Sequence, residues 1–84
     1  MVTVKLFGTL RLESGVKELT AEAVSVRALY PLILAEIRIQ KPDSGITEKT
    51  LKCCQVAVNG KQVTPQAKLR DGDTVYLFPA AAGG

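Results

Sequence analysis

One stretch of helical apolar spacing dominates this chain. Val26, Leu29, Ile33 and Ile37 recur at intervals of three, four and four, which places them on one face of a helix. A lone amphipathic helix must bury that face against another layer. The sequence on either side of it alternates like strands, so the other layer is a sheet. In a chain of 84 residues this helix–sheet contact is the whole core, because a domain of that size buries only about 60–65% of its unfolded surface. Ser25 suits the helix N-cap, its side-chain oxygen accepting from a free N–H of the first turn. Pro31 falls inside the pattern, where it forfeits a hydrogen bond and crowds the preceding turn at a cost of about 3 kcal/mol. Two arrangements satisfy it: a kinked helix, or a main helix that begins at Pro31 after a loose turn. Leu32, Leu34 and Ile39 lie off the stripe and suggest a second apolar side.

The strands read from alternation and punctuation. Val2, Val4 and Leu6 share one face of a first strand that Gly8 ends. Ser14-Gly15 marks a turn, and residues 16–20 return as a second strand after a long connection. Pro42-Asp43-Ser44-Gly45 closes the helical pattern, and a polar link with a short helical turn near 47–51 follows. Gln55-Val56-Ala57-Val58 is a strand. Asn59-Gly60 is a strong two-residue hairpin signal, and 61–63 is a short return strand. Leu69 packs inward before the turn Arg70-Asp71-Gly72-Asp73, and Thr74–Phe78 is the last strand, stopped by Pro79. Compact closure sets the first and last strands side by side in mid-sheet. The expected fold is therefore α+β, a ubiquitin-like β-grasp, with a mixed sheet of about five strands packed on one main helix. Residues 1–79 form the domain, and 80–84 form a flexible tail ending in Gly-Gly.

Several function classes are disfavoured. No apolar run approaches the roughly 20 residues of a membrane span. The first residues lack the pattern of a signal peptide, so a cytoplasmic protein that does not engage membranes is expected. The net charge of +3 comes from scattered Lys and Arg, and the four aromatics, Phe7, Tyr30, Tyr76 and Phe78, are dispersed. Nucleic acid is not the expected partner. Cys53 and Cys54 are adjacent. Read as strand neighbours they point to opposite faces, one thiol buried and one near the surface. With no histidine in the chain they complete no metal site, and the commonest general base is missing. Asp71 and Asp73 flank Gly72 as turn residues, and the glycines form no phosphate-binding loop. No bound cofactor, no metal and no self-contained catalysis are expected.

The distinctive feature is Gly83-Gly84. Without side chains, this backbone can thread a narrow channel in a partner and approach a nucleotide closely. A carboxylate at Gly84 is a poor electrophile. Joined to AMP it gains a good leaving group. A sulfur donor can then displace AMP to leave a thiocarboxylate, or a lysine amine can displace it to form an isopeptide bond. The partner catalyses; this chain carries the group.

The stretch Val56-Ala57-Val58-Asn59-Gly60, the run Leu69-Arg70-Asp71-Gly72-Asp73-Thr74-Val75-Tyr76-Leu77-Phe78-Pro79 and Gly83-Gly84 resemble the ThiS/MoaD-like sulfur-carrier family, most of all its molybdopterin synthase small-subunit branch. Leu6-Phe7-Gly8 with Arg11, and Ser25-Val26-Arg27-Ala28-Leu29, extend the similarity over nearly the whole chain. The resemblance implies a β-grasp sulfur carrier. An ATP-using, ubiquitin-activating-type enzyme would adenylate Gly84. The thiocarboxylated tail would enter the large subunit of molybdopterin synthase, in a heterotetramer, and supply sulfur for the molybdenum cofactor. Ala80-Ala81 stand where that branch often has a second proline and a larger apolar residue. They leave room for carriers of other pathways, such as thiamine biosynthesis, and for ubiquitin-like modifiers.

Alternation also gives a docking face. If Val2, Val4, Leu6, Val75 and Leu77 face the helix, then Lys5, Phe7, Tyr76 and Phe78 face out. Phe7 and Phe78 then share the exposed side beside the tail root at Pro79. Interfaces enrich such aromatics. In the resembling family an aromatic at the Phe78 position lies in the partner contact. Phe78, Phe7, Pro79, Arg11 and Lys5 are the expected contact residues.

Overall fold

The computed structural model describes residues 1–79. The expected tail, residues 80–84 with Gly83 and Gly84, lies outside the described residues. The strands are β1 (Val2–Leu6), β2 (Glu18–Ala21), β3 (Gln55–Val58), β4 (Lys61–Val63) and β5 (Thr74–Phe78). The helices are α1 (Gly8–Ser14), α2 (Val26–Gln40) and α3 (Glu48–Lys52). The sheet order is β2-β1-β5-β3-β4. β1 and β5 run parallel at the centre, and every other pairing is antiparallel. This is the β-grasp arrangement, and the first and last strands lie where closure of the chain requires them.

Strand alternation builds the core. Val2, Val4 and Leu6 of β1 and Val75 and Leu77 of β5 are buried, each with an outward neighbour between. They pack on Val26, Leu29, Ile33 and Ile37, the four stripe residues, all nearly inaccessible. Ser25 caps α2, its Oγ accepting from the Ala28 N–H at 3.3 Å. The helix begins at Val26 and continues through Pro31, so the main helix does not start at the proline. Pro31 is exposed, which keeps its ring out of the core contact. Of the three residues off the stripe only Leu34 is buried; Leu32 and Ile39 are exposed, so the second apolar side is narrow.

Tyr30, one turn beyond Val26, completes the buried face at 1% exposure, and its hydroxyl has no protein hydrogen-bond partner among the described residues. A buried hydroxyl without a partner costs about 1–3 kcal/mol in desolvation. Tyr30→Phe is therefore expected to raise the free energy of unfolding by about 1 kcal/mol. Urea titration reads this directly, and a loss of stability would count against an unsatisfied hydroxyl.

The connection from Gly8 to Gly15 is helical rather than a loop. Only Leu10 and Ser14 of α1 are buried, and Leu12 is 75% exposed. So short a helix shows no stripe and is below the length at which helices persist alone. Tertiary contact holds it. Gly15 ends it, donating its N–H to the Arg11 carbonyl at 3.1 Å, and the buried Ser14 Oγ accepts from Val16 N–H at 3.0 Å. β2 consequently starts at Glu18, two residues later than the alternation suggested.

Asn59-Gly60 makes the β3–β4 turn with φ of 51° and 88°, the left-handed region such hairpins need. Asn59 also ties this turn to the one before β5. Its Oδ1 accepts from Thr74 N–H at 3.0 Å, and its amide donates to Asp73 Oδ1 at 2.9 Å. The Arg70 N–H donates to Asp73 Oδ2 at 2.8 Å. The Arg70 N–H first, and the Asn59 amide second, hold the Asp73 carboxyl below its ordinary range. A carboxyl depressed in the folded state stabilises above its unfolded value, near pH 4, and that contribution disappears as pH falls through the folded value. Between about pH 5 and about pH 2 the parent should thus lose more thermal stability than Asp73→Asn, which has no carboxylate to protonate. Equal acid slopes would show that this network contributes nothing.

Candidate functional site

The outer face of the sheet carries the candidate site. Register sets Lys5 of β1 between Glu18 of β2 and Tyr76 of β5, while Phe78 lies opposite Gln55 and Tyr76 opposite Ala57 on β3. Side chains at these positions point away from α2 because their neighbours Val4, Leu6, Val75, Leu77 and Val56 point toward it. Phe7 follows β1 and donates its N–H to the Leu77 carbonyl at 3.2 Å, which lays it alongside the end of β5. Its ring stacks on Phe78 with centroids 4.9 Å apart and planes at 12°, and lies 5.9 Å from Tyr76. Such separations are favourable for aromatic pairs. The three rings make a ridge, and Phe78 is 40% exposed at its crest.

The tail root, Pro79, lies close against Gly8. Gly8 has φ +60°, and a Cβ built there would lie 3.1 Å from Pro79 Cγ and 3.4 Å from Cδ. The position therefore disfavours a side chain twice, by conformation and by space. Leu6-Phe7-Gly8 thus ends the first strand, supplies a ring of the ridge, and clears the place where Pro79 rests. On its other side Pro79 borders a small depression with Leu10, Cys53 and Cys54.

Phe7, Phe78, Pro79, Lys5 and Arg11, named from sequence, are placed at one end of the sheet. Lys5 and Arg11 line a depression with Phe7 and Tyr76. Sequence reasoning turned Tyr76 outward without assigning it to the site, and it missed Lys17, which borders the same depression. Lys17 is brought there by the Gly15 reversal and by the hydrogen bond from Leu6 N–H to its carbonyl at 3.0 Å. The helical character of α1, not visible in the alternation, was the missing step. Gly83 and Gly84 lie outside the described residues.

The two thiols divide in the expected direction, although not by strand alternation. Cys53 is exposed and Cys54 half-buried, and both are free. Neither is in a strand. Cys53 is the C-cap of α3, so strand alternation does not separate them. Cys54 packs at the core margin with its thiol donating to the Thr50 carbonyl at 3.3 Å, and burial pushes that thiol above its usual range. Among the described residues no group of three Cys, Asp or Glu side chains could hold a metal ion. No helix among them is long and apolar enough to cross a membrane.

Comparison with known proteins gives a consistent set of relatives. The sequence profile of the ThiS family matches residues 4–84. A Pyrococcus furiosus protein described as molybdopterin converting factor subunit 1 is 33% identical, over 93% of this chain and 94% of that one, with a TM-score of 0.64. A complex of subunits 1 and 2 of the molybdopterin-converting factor of Helicobacter pylori contains a chain 26% identical, over 99% and 97%, with a TM-score of 0.59. SAMP1 of Haloferax volcanii, at 23% identity over 99% and 98% with a TM-score of 0.69, shares the fold. A comparison with curated proteins finds no match.

Proposed function

Since this chain belongs to the ThiS family, we propose that it is a sulfur carrier in molybdopterin formation, with Gly84 as the residue that bears the sulfur. The observation that carries the pathway is the 33% identity, over nearly the full length of both chains, to the Pyrococcus furiosus subunit. The ridge beside the tail root supports a carrier that docks through one end of its sheet and hands its C-terminal residues to the partner.

The chemistry follows from the carboxylate. A ubiquitin-activating-type enzyme joins Gly84 to AMP from ATP and releases pyrophosphate. A hydrosulfide equivalent then displaces AMP, leaving the thiocarboxylate. The domain contributes position: Phe7, Phe78 and Pro79, with Lys5 and Arg11, seat the partner so that Gly83-Gly84 enters its active site. In the synthase, the large subunit holds the acceptor and catalyses the transfer.

Intact mass after incubation with ATP, sulfide and the host's adenylating enzyme should show one oxygen replaced by sulfur. The modified protein, added with the host's large synthase subunit, should then convert the dithiolene precursor. Sulfur loading without that conversion assigns the carrier to another pathway. Conjugates to lysine in cell lysate assign it to protein modification.

A further inference from the structure

The aromatic ridge divides the outer sheet face into two unlike halves. On the β1–β2 side, Lys5, Arg11 and Lys17 border one depression, and the single carboxylate there is Glu18, paired with Lys5 at 3.9 Å. On the β3–β4 side the ridge descends to an open hollow of about 340 Å³ bordered by Gln55, Ala57 and Gln62, with no charged side chain in its lining. Three cations against one carboxylate leave the first half positive. The exposed ends of Arg11 and Lys17 have no ion-pair partner within the described residues.

We propose that this face selects a partner whose contact surface is apolar at its centre and acidic on one flank only. The acidic flank lies over Lys5, Arg11 and Lys17, and the uncharged flank lies over Gln55, Ala57 and Gln62. This rests on the reading of the ridge as the docking site and adds the partner's chemistry and its orientation. The aromatic centre supplies contact area but is nearly indifferent to rotation of the partner about it. A charge on one side breaks that indifference, because the reversed orientation sets acidic groups on the uncharged hollow and leaves the cations unpaired. A second copy of this chain is a poor occupant. The one acid its own face offers, Glu18, already neighbours Lys5.

Orientation matters for a carrier whose reactive residue follows Pro79. Pro79 stands at the end of the ridge, so turning the partner about the ridge swings its active site away from the tail root. The positive half thus sets the direction in which Gly83-Gly84 is delivered, and it also accelerates encounter by drawing in the acidic flank.

The test is association of the whole protein with the host's adenylating enzyme, measured by stopped flow at several salt concentrations. The rate for the parent should fall steeply with salt. Lys17→Glu should slow it by about tenfold at low salt, and Arg11→Glu should act alike. Lys61→Glu makes the same change of net charge on β4, outside both halves, and should leave the rate near that of the parent. Unchanged urea midpoints show that the variants are folded. A salt-independent rate, or equal slowing by Lys17→Glu and Lys61→Glu, overturns the proposal. If sulfur still loads onto Gly84 in that case, the sulfur-carrier reading stands without it. A parent that neither associates nor loads overturns both. Self-association of the parent through this face in sedimentation, with no enzyme bound, also overturns it.

Discussion

Protein lacking Gly84 should take up no sulfur. In the incubation with ATP, sulfide and the host's adenylating enzyme, the deletion variant should remain at its starting mass while the parent is converted. A single alanine appended after Gly84 should have the same effect, since it moves the carboxylate one residue on and puts a Cβ where the threading argument demands none. Neither change touches the core formed by the described residues 1–79, so folding should be unaltered. Thermal midpoints equal to the parent's would confirm that the loss is chemical. Sulfur loading on the truncated chain would mean that Gly84 is not the reactive residue, and the proposed function would fall with it.

Two adjacent residues should fail in opposite ways. Leu77 and Phe78 are neighbours in β5, one 1% and the other 40% exposed, because consecutive strand residues face opposite sides. Leu77→Ala removes a side chain packed under α2, at a cost of about 2–5 kcal/mol. A domain this size has only about 4–12 kcal/mol in hand at the usual stability per residue, so the variant should be largely destabilised and lost from expression. Phe78→Ala gives up its stacking on Phe7, about 0.5–1.5 kcal/mol, and should stay folded. Its loss should appear in association with the partner, by about 2 kcal/mol or some thirtyfold in Kd, as for a buried aromatic anchor. Paired urea and titration curves check this. Equal partner affinity for Phe78→Ala and the parent would remove the ridge from the interface.

These predictions show which parts of the molecule the sequence made legible. Alternation in Val2–Leu6 and Thr74–Phe78 decided which residues are core and which form the ridge, because a period of two leaves no ambiguity once one face is buried. The stripe in α2 and the Asn59-Gly60 turn were as plain. What escaped had no periodic signature. α1 has one inward leucine and one exposed leucine two residues later, a pattern that fits neither period. Its one clue was Gly15, a residue that commonly closes helices. Because α1 was hidden, so was the position of Lys17, and with it the one-sidedness of the charge. For Cys53 and Cys54 the sequence pointed to the right outcome for the wrong reason: one thiol is exposed and the other lies at the core margin, but the end of α3 separates them, not strand alternation.

The seating of Pro79 against Gly8 gives the carrier a fixed origin. Whatever path Gly84 takes into a partner, its distance is counted from that proline, and five further residues can reach no more than about 17 Å. An enzyme that docks on the ridge must therefore have its reacting atoms within that radius of the docking edge. If the proposed delivery holds, lengthening the chain between Pro79 and Gly83 should let deeper sites be served, with reach counted from the proline beside Gly8.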